Sequence, residues 1–213
     1  MAQNKPQAEK DPEVAIASAI GRVEAFIMRN SRSLLTALGV VIIVVGGFFG
    51  YKYLVAVPRM EKASAMMFAA EQQFAQDSFK LALNGDGNFA GFLQVIEKYG
   101  STGTGNVARH YAGICYLRLG QYQEALDYLT QYKGSTDDVP SALLAAQNYG
   151  LGGDVYVQMG DYAEAAKSYE KAVATSSDPL TAPYYLKKAG EVYEKLGDNA
   201  KALAAYEAVE VDY

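Results

Sequence analysis

The chain has 213 residues, half of them hydrophobic, with 20 % charged and a net charge of −5. That length suits one membrane anchor and one compact domain, and an acidic balance without a basic stripe argues against nucleic acid as a partner. The single cysteine, Cys115, excludes an internal disulfide; with one histidine beside it, no zinc site of the usual spacing forms within one chain.

Residues 1–10 are polar and read as a disordered start. Asp11-Pro12 is a good helix opening, with Asp at the N-cap and Pro in the first turn. Behind it Ile16, Ile20, Val23 and Ile27 form one apolar stripe, Arg22 and Arg29 lie off it, and Asn30 closes the segment. Residues 1–33 therefore read as an arm with a short amphipathic helix, either lying in the membrane interface or serving as a plain lead-in.

Residues 34–57 carry no charge between Leu34 and Gly50, and about 20 apolar residues suffice to cross a bilayer core of roughly 30 Å. Tyr51, Lys52 and Tyr53 stand near the far end, where rings favour the headgroup layer and a lysine snorkels. The apolar run is longer than a signal-peptide core and starts too far from the N-terminus, so an uncleaved anchor is expected. Flanking charges are nearly balanced, with Arg22, Arg29 and Arg32 before the span and Lys52, Arg59 and Lys62 after it. An N-inside orientation places the acidic remainder, with thirteen lysines and arginines against twenty acidic residues, away from the cytoplasmic leaflet. Gly39, Gly46 and Gly50 share one helix face, which either packs a second helix closely or reflects the frequency of glycine in membrane spans.

Residues 58–105 read as a helical pair, Met60–Leu83 and a second helix marked by Phe89, Phe92, Leu93 and Ile96, separated by Asn84-Gly-Asp-Gly. The first of these is expected to run out of the membrane and hold the following domain near the bilayer. Asn84–Asn88 resembles the opening of a calcium loop but lacks its closing glutamate. Gly100–Asn106 resembles a phosphate loop, yet it has no Gly-Lys-Ser/Thr and follows a helix. Both read as turns. His110 has no nucleophile motif to serve and is expected at a surface or groove contact, and Cys115 as a small packed residue. No cofactor is expected.

From residue 106 a unit repeats. Gly120-Gln-Tyr122-Gln-Glu-Ala125 and Gly160-Asp-Tyr162-Ala-Glu-Ala165 match, with a weaker copy at Gly197-Asp-Asn199-Ala-Lys-Ala202, at spacings of 40 and 37 residues. Each follows a glycine and, three later, a tyrosine: Gly113/Tyr116, Gly153/Tyr156 and Gly190/Tyr193. Four residues after the alanine comes Leu129, Tyr169 or Tyr206. This pattern resembles the tetratricopeptide repeat superfamily across 106–213, with longer connections at 134–141 and 176–183 than the period of about 34 residues allows. The small residues let paired helices cross closely, the glycine before the tyrosine turns the chain, and each unit buries its face by stacking on a neighbour. The expected fold is all-α: a single N-terminal transmembrane helix followed by a solenoid of about three repeats.

The resemblance implies a concave groove that binds proteins or peptides. Its lining carries over to His110, Ile114 and Arg118, then Gln147, Asp154 and Gln158, then Tyr184, Lys187, Glu191 and Lys195. Chaperone-tail clamps of the superfamily use Lys and Asn where this chain has His110/Ile114, Gly150/Asp154 and Lys187/Glu191. The clamp is absent, so an acidic C-terminal tail is not an expected ligand. The sequence stops after the second helix of the last repeat without a polar capping helix, which suggests a truncated product or an end covered by a partner.

The order of arm, span and Ala/Tyr-rich repeats resembles the YfgM-type ancillary subunits of the bacterial Sec translocon. The likeness is carried by MMFAAEQQF at 66–74 and FAGFLQVIEKYGSTGTGNVARHYAGICYLRLGQYQEAL at 89–126. It implies a single-pass bacterial inner-membrane protein with periplasmic repeats that bind Sec translocon subunits or periplasmic chaperones. A scaffold for cell division or outer-membrane biogenesis is the alternative, and an enzyme using the groove is the least supported.

Overall fold

The computed structural model describes residues 12–135 and 139–213. The polar start at 1–10, the Asp11 cap and the middle of the connection at 134–141 lie outside the described residues. Two compact units divide between Val55 and Ala56.

The first unit is dominated by one helix, α1, Pro12–Tyr51, 40 residues long. Its most apolar 18-residue window has a mean hydropathy of 2.3 and none of it is buried, so this helix is long and apolar enough to cross a membrane. The separate amphipathic helix expected over the arm is instead the first half of α1, because Asn30 does not close it. The Asn30 Nδ2 donates to the Phe26 carbonyl at 2.9 Å, and the Thr36 hydroxyl donates to the Arg32 carbonyl at 2.9 Å. Polar side chains that satisfy the carbonyl one turn back remain in a helix interior rather than ending it. After Tyr51 the chain takes a π-helical turn, Lys52–Ala56, before α2 begins at Val57 with Pro58 in its first turn. Proline lacks the N–H that would continue the ladder, and its ring crowds the carbonyl four residues back; a widened turn accommodates both defects.

Within the second unit, α2 (Val57–Ala75), α3 (Phe79–Asn84) and α4 (Phe92–Tyr99) precede three antiparallel hairpins. These are α5 (Gly103–Arg118) with α6 (Tyr122–Gln131), α7 (Val139–Met159) with α8 (Tyr162–Thr175), and α9 (Thr181–Leu196) with α10 (Asn199–Asp212). The lead-in is thus three helices, not the expected two. Asp77 takes a left-handed φ of 56° and ends α2, while Ser78 donates back to the Gln73 carbonyl. Phe89 lies in the loop before α4, and Asp86 Oδ1 caps that loop by accepting from the Asn88 and Phe89 amides.

The repeats pack as their small residues require. A Cβ on Gly113 would meet Leu129, one on Gly153 would meet Tyr169, and one on Gly190 would meet Tyr206. Each first helix therefore approaches its partner where glycine removes the side chain, and the large residue of the second helix fills the space. At the turns Gly120, Gly160 and Gly197 have φ of 75°, 79° and 74°, a region where side chains are strained. Asp161 and Asp198 then cap α8 and α10 by accepting from the Glu164 and Lys201 amides. Three buried clusters run along the stack: one around Phe92, Val95 and Met67, one around Leu126 and Val155, and one around Tyr169, Tyr185 and Val192.

Candidate protein-binding groove

The first helices of the three hairpins, α5, α7 and α9, line a groove of about 600 Å³. Ile114, Leu117, Leu151, Val157 and Val192 give it an apolar floor, and Tyr122, Tyr162 and Tyr169 reach in from α6 and α8. Of the ten residues expected there, six line it: Ile114, Arg118, Asp154, Gln158, Glu191 and Lys195. They occupy the C-terminal halves of their helices, one turn apart in each.

The other four do not line it. His110 is buried, only 5 % exposed, which corrects its expected surface or groove position. Its Nδ1 lies 3.0 Å from Asn148 Oδ1, and Asn148 Nδ2 donates to the Leu129 carbonyl at 2.9 Å. Since the Asn148 amide nitrogen is committed to a carbonyl, its oxygen accepts and Nδ1 of His110 carries the proton. Burial depresses the imidazole's pKa below its ordinary value, and the Asn148 bond offsets only part of that. Gln147 is half-buried outside the groove, and Lys187 is an exposed residue whose ammonium sits 3.7 Å from Glu191. Tyr184 stands 52 % exposed, stacked edge-on against Tyr185. At Gly150 the space a side chain would take is filled by the Tyr185 ring. Packing between neighbouring repeats thus closes the N-terminal half of the groove and leaves the C-terminal half open.

Lys188, Tyr169 and the floor residues Leu117, Leu151, Val157 and Val192 also belong to the groove, although sequence reasoning did not name them for it. Asp154 Oδ1 accepts from the Tyr169 hydroxyl at 2.6 Å and from the Lys188 ammonium at 2.6 Å, joining α7, α8 and α9. Burial pulls the Lys188 pKa down, but its hydrogen bonds to Asp154 and Tyr184 and the Asp154 charge outweigh this and leave it raised. Burial, reinforced by the Asp154 contact, pushes the Tyr169 phenol up strongly. Both groove carboxylates thereby have lysine partners, Asp154 with Lys188 and Glu191 with Lys187. Arg118 and Lys195 form no ion pair among the described residues. Cys115 is fully buried, and burial pushes its thiol up to about 12, as suits a packed residue. No group of three or more His, Cys, Asp or Glu side chains close enough to hold a metal occurs among the described residues.

Residues 151–212 match a family model described as tetratricopeptide repeat, and residues 108–135 match a second model of the same description. Among solved structures the chain is similar to the crystal structure of MamA protein, with a TM-score of 0.53 and 18 % identity, over 84 % of this chain and 90 % of that one. At that identity the likeness speaks for the fold alone. No curated protein sequence matches the chain significantly.

Proposed function

We propose, from the tetratricopeptide repeats and the apolar helix that precedes them, that this chain is a membrane-anchored interaction module of the bacterial envelope. In this reading it is a non-enzymatic ancillary subunit, anchored in the inner membrane with its repeats in the periplasm. There it engages Sec translocon subunits, periplasmic chaperones or emerging chains. The groove carries the proposal: an apolar floor framed by tyrosines and bordered by Arg118 and Lys195, which form no ion pair among the described residues, suits an extended segment with apolar side chains. Tetratricopeptide domains generally bind proteins or peptides on such a face. Gly39, Gly46 and Gly50, each with open space where a side chain would stand, offer a further face for a membrane helix.

The test is a photoreactive residue at Arg118, crosslinked in native membranes and followed by mass spectrometry. Recovery of translocon subunits or periplasmic chaperones supports the proposal and its orientation together. Recovery of cytoplasmic proteins overturns both. Recovery of division or outer-membrane assembly proteins moves the module to that machinery.

A further inference from the structure

Ile16, Ile20, Val23 and Ile27 recur along α1 at intervals of four, three and four, and Asn30 and Leu34 continue the alternation. Each of the four is at least half exposed. A stripe of this kind has two natural occupants, a lipid surface or another helix, and the continuity of α1 separates them. At about 1.5 Å per residue, 40 residues run for about 60 Å, twice the roughly 30 Å of a bilayer core. The helix passes without a break from the stripe into the apolar half. An unbroken helix whose second half crosses the membrane holds its first half out of the membrane plane, so the stripe stands in water and not against lipid.

The partner that best fits is the same stripe of another copy. Single-span anchors deliver every copy at the same height and in the same direction, which is the condition for a parallel, in-register pair. The four–three spacing averages about 3.5 residues, the interval that keeps a seam facing its partner in a left-handed coiled coil. Arg22, Arg29 and Arg32 fall on the opposite side of the helix at about 100° per residue, so packing Ile16 to Ile27 against a second copy keeps these arginines apart, while the seam starts after Glu13 and Glu24 lies at its edge. Asn30 falls at the next seam position after Ile27, where its amide nitrogen donates to the Phe26 carbonyl of its own helix. We propose that α1 self-associates through Ile16, Ile20, Val23 and Ile27 in a parallel coiled coil that continues into the membrane helix. This rests on reading α1 as a membrane span.

Full-length single-cysteine substitutions at Ile20 and Ile27 on the stripe, and at Ala25 and Arg29 opposite it, are oxidised with copper phenanthroline in native membranes. The native Cys115 is buried and stays out of the reaction. The expected result is disulfide-linked dimers at Ile20→Cys and Ile27→Cys, several-fold more than at Ala25→Cys and Arg29→Cys, lost from Ile27→Cys when Ile20→Lys is added. Equal crosslinking at all four sites, or none, overturns the proposal. So does quenching by brominated lipid of a fluorophore at Ile20→Cys, which identifies a lipid surface as the occupant. Carbonate extraction of the same membranes separates the two readings. A chain released by carbonate ends the anchor reading and the parallel pairing with it, whereas a chain retained without stripe-specific crosslinks ends the pairing alone.

Discussion

Gly152 and Gly153 are neighbours in α7 with opposite tolerance for a methyl group. At Gly153 an added Cβ would lie 2.5 Å from Tyr169 Cε1 and 2.7 Å from Cδ1, against a ring that is buried and tethered by its hydroxyl to Asp154. At Gly152 nothing lies within 4 Å. Alanine gains up to about 1 kcal/mol over glycine in a helix interior, and overpacking costs about 1–3 kcal/mol. Gly152→Ala is therefore expected to raise the urea midpoint of the detergent-solubilised chain and Gly153→Ala to lower it; the same sign for both would refute this packing. His110 gives a pH-dependent counterpart. Its folded pKa lies below the ordinary value near 6.5 because burial disfavours the imidazolium. The unfolded chain then binds the extra proton first, so the contribution is complete above about pH 6.5 and is lost as pH falls towards the depressed folded pKa. The rings of Tyr111 and Tyr132 face the imidazole and stay neutral throughout that range. His110→Gln is expected to flatten the stability profile between about pH 7 and 5 relative to the parent chain; an unchanged slope would assign the pH dependence to another group.

At the scale of the helices, the Asp154 carboxylate holds three elements together through one oxygen. Asp154 and Lys188 side chains are 29 % and 23 % exposed, so solvent screens the pair only partly. Removing Asp154 leaves a half-buried ammonium and a buried phenol without their acceptor, a loss of about 1–3 kcal/mol. Asp154→Ala/Lys188→Met is expected to be less destabilised than the sum of its single variants, by about 0.5–2 kcal/mol in a thermodynamic cycle; additivity would show that the pair contributes nothing as a pair. The repeat hairpins were legible in the sequence because each uses one solution, a glycine at the crossing, a large residue sixteen positions on, and a glycine at the turn. The break between α2 and α3 was not, since Asp77 takes a left-handed conformation in a stretch without glycine or proline. The groove was half legible for a related reason. The resemblance to tetratricopeptide repeats carried over Ile114, Asp154 and Glu191, but His110 is held by Asn148, 38 residues away, and the space beside Gly150 is filled by Tyr185. Contacts between repeats leave no local pattern.

For the molecule as a whole, the division of labour between the two units yields a prediction about each. Every buried cluster begins at or after Met67 and draws only on α2 to α10, whereas the bulky apolar residues from Ile16 to Val55 stay exposed. Among the described residues, the second unit's buried clusters are built from its own helices. A chain of residues 56–213 is therefore expected to stay in the aqueous fraction, show the helical circular dichroism of α2 to α10, and melt cooperatively. Its exposed large apolar residues are scattered, with Leu180 at the start of α9 and Leu203 and Val211 about two turns apart on α10, as is ordinary for a folded surface. If association belongs to the stripe on α1, the same fragment is monomeric by light scattering at micromolar concentration, while the full chain in detergent is not. An oligomeric fragment would move the association surface into the repeats. A fragment that fails to fold would mean that the repeats need the first unit, and the independence read from the buried clusters would be lost.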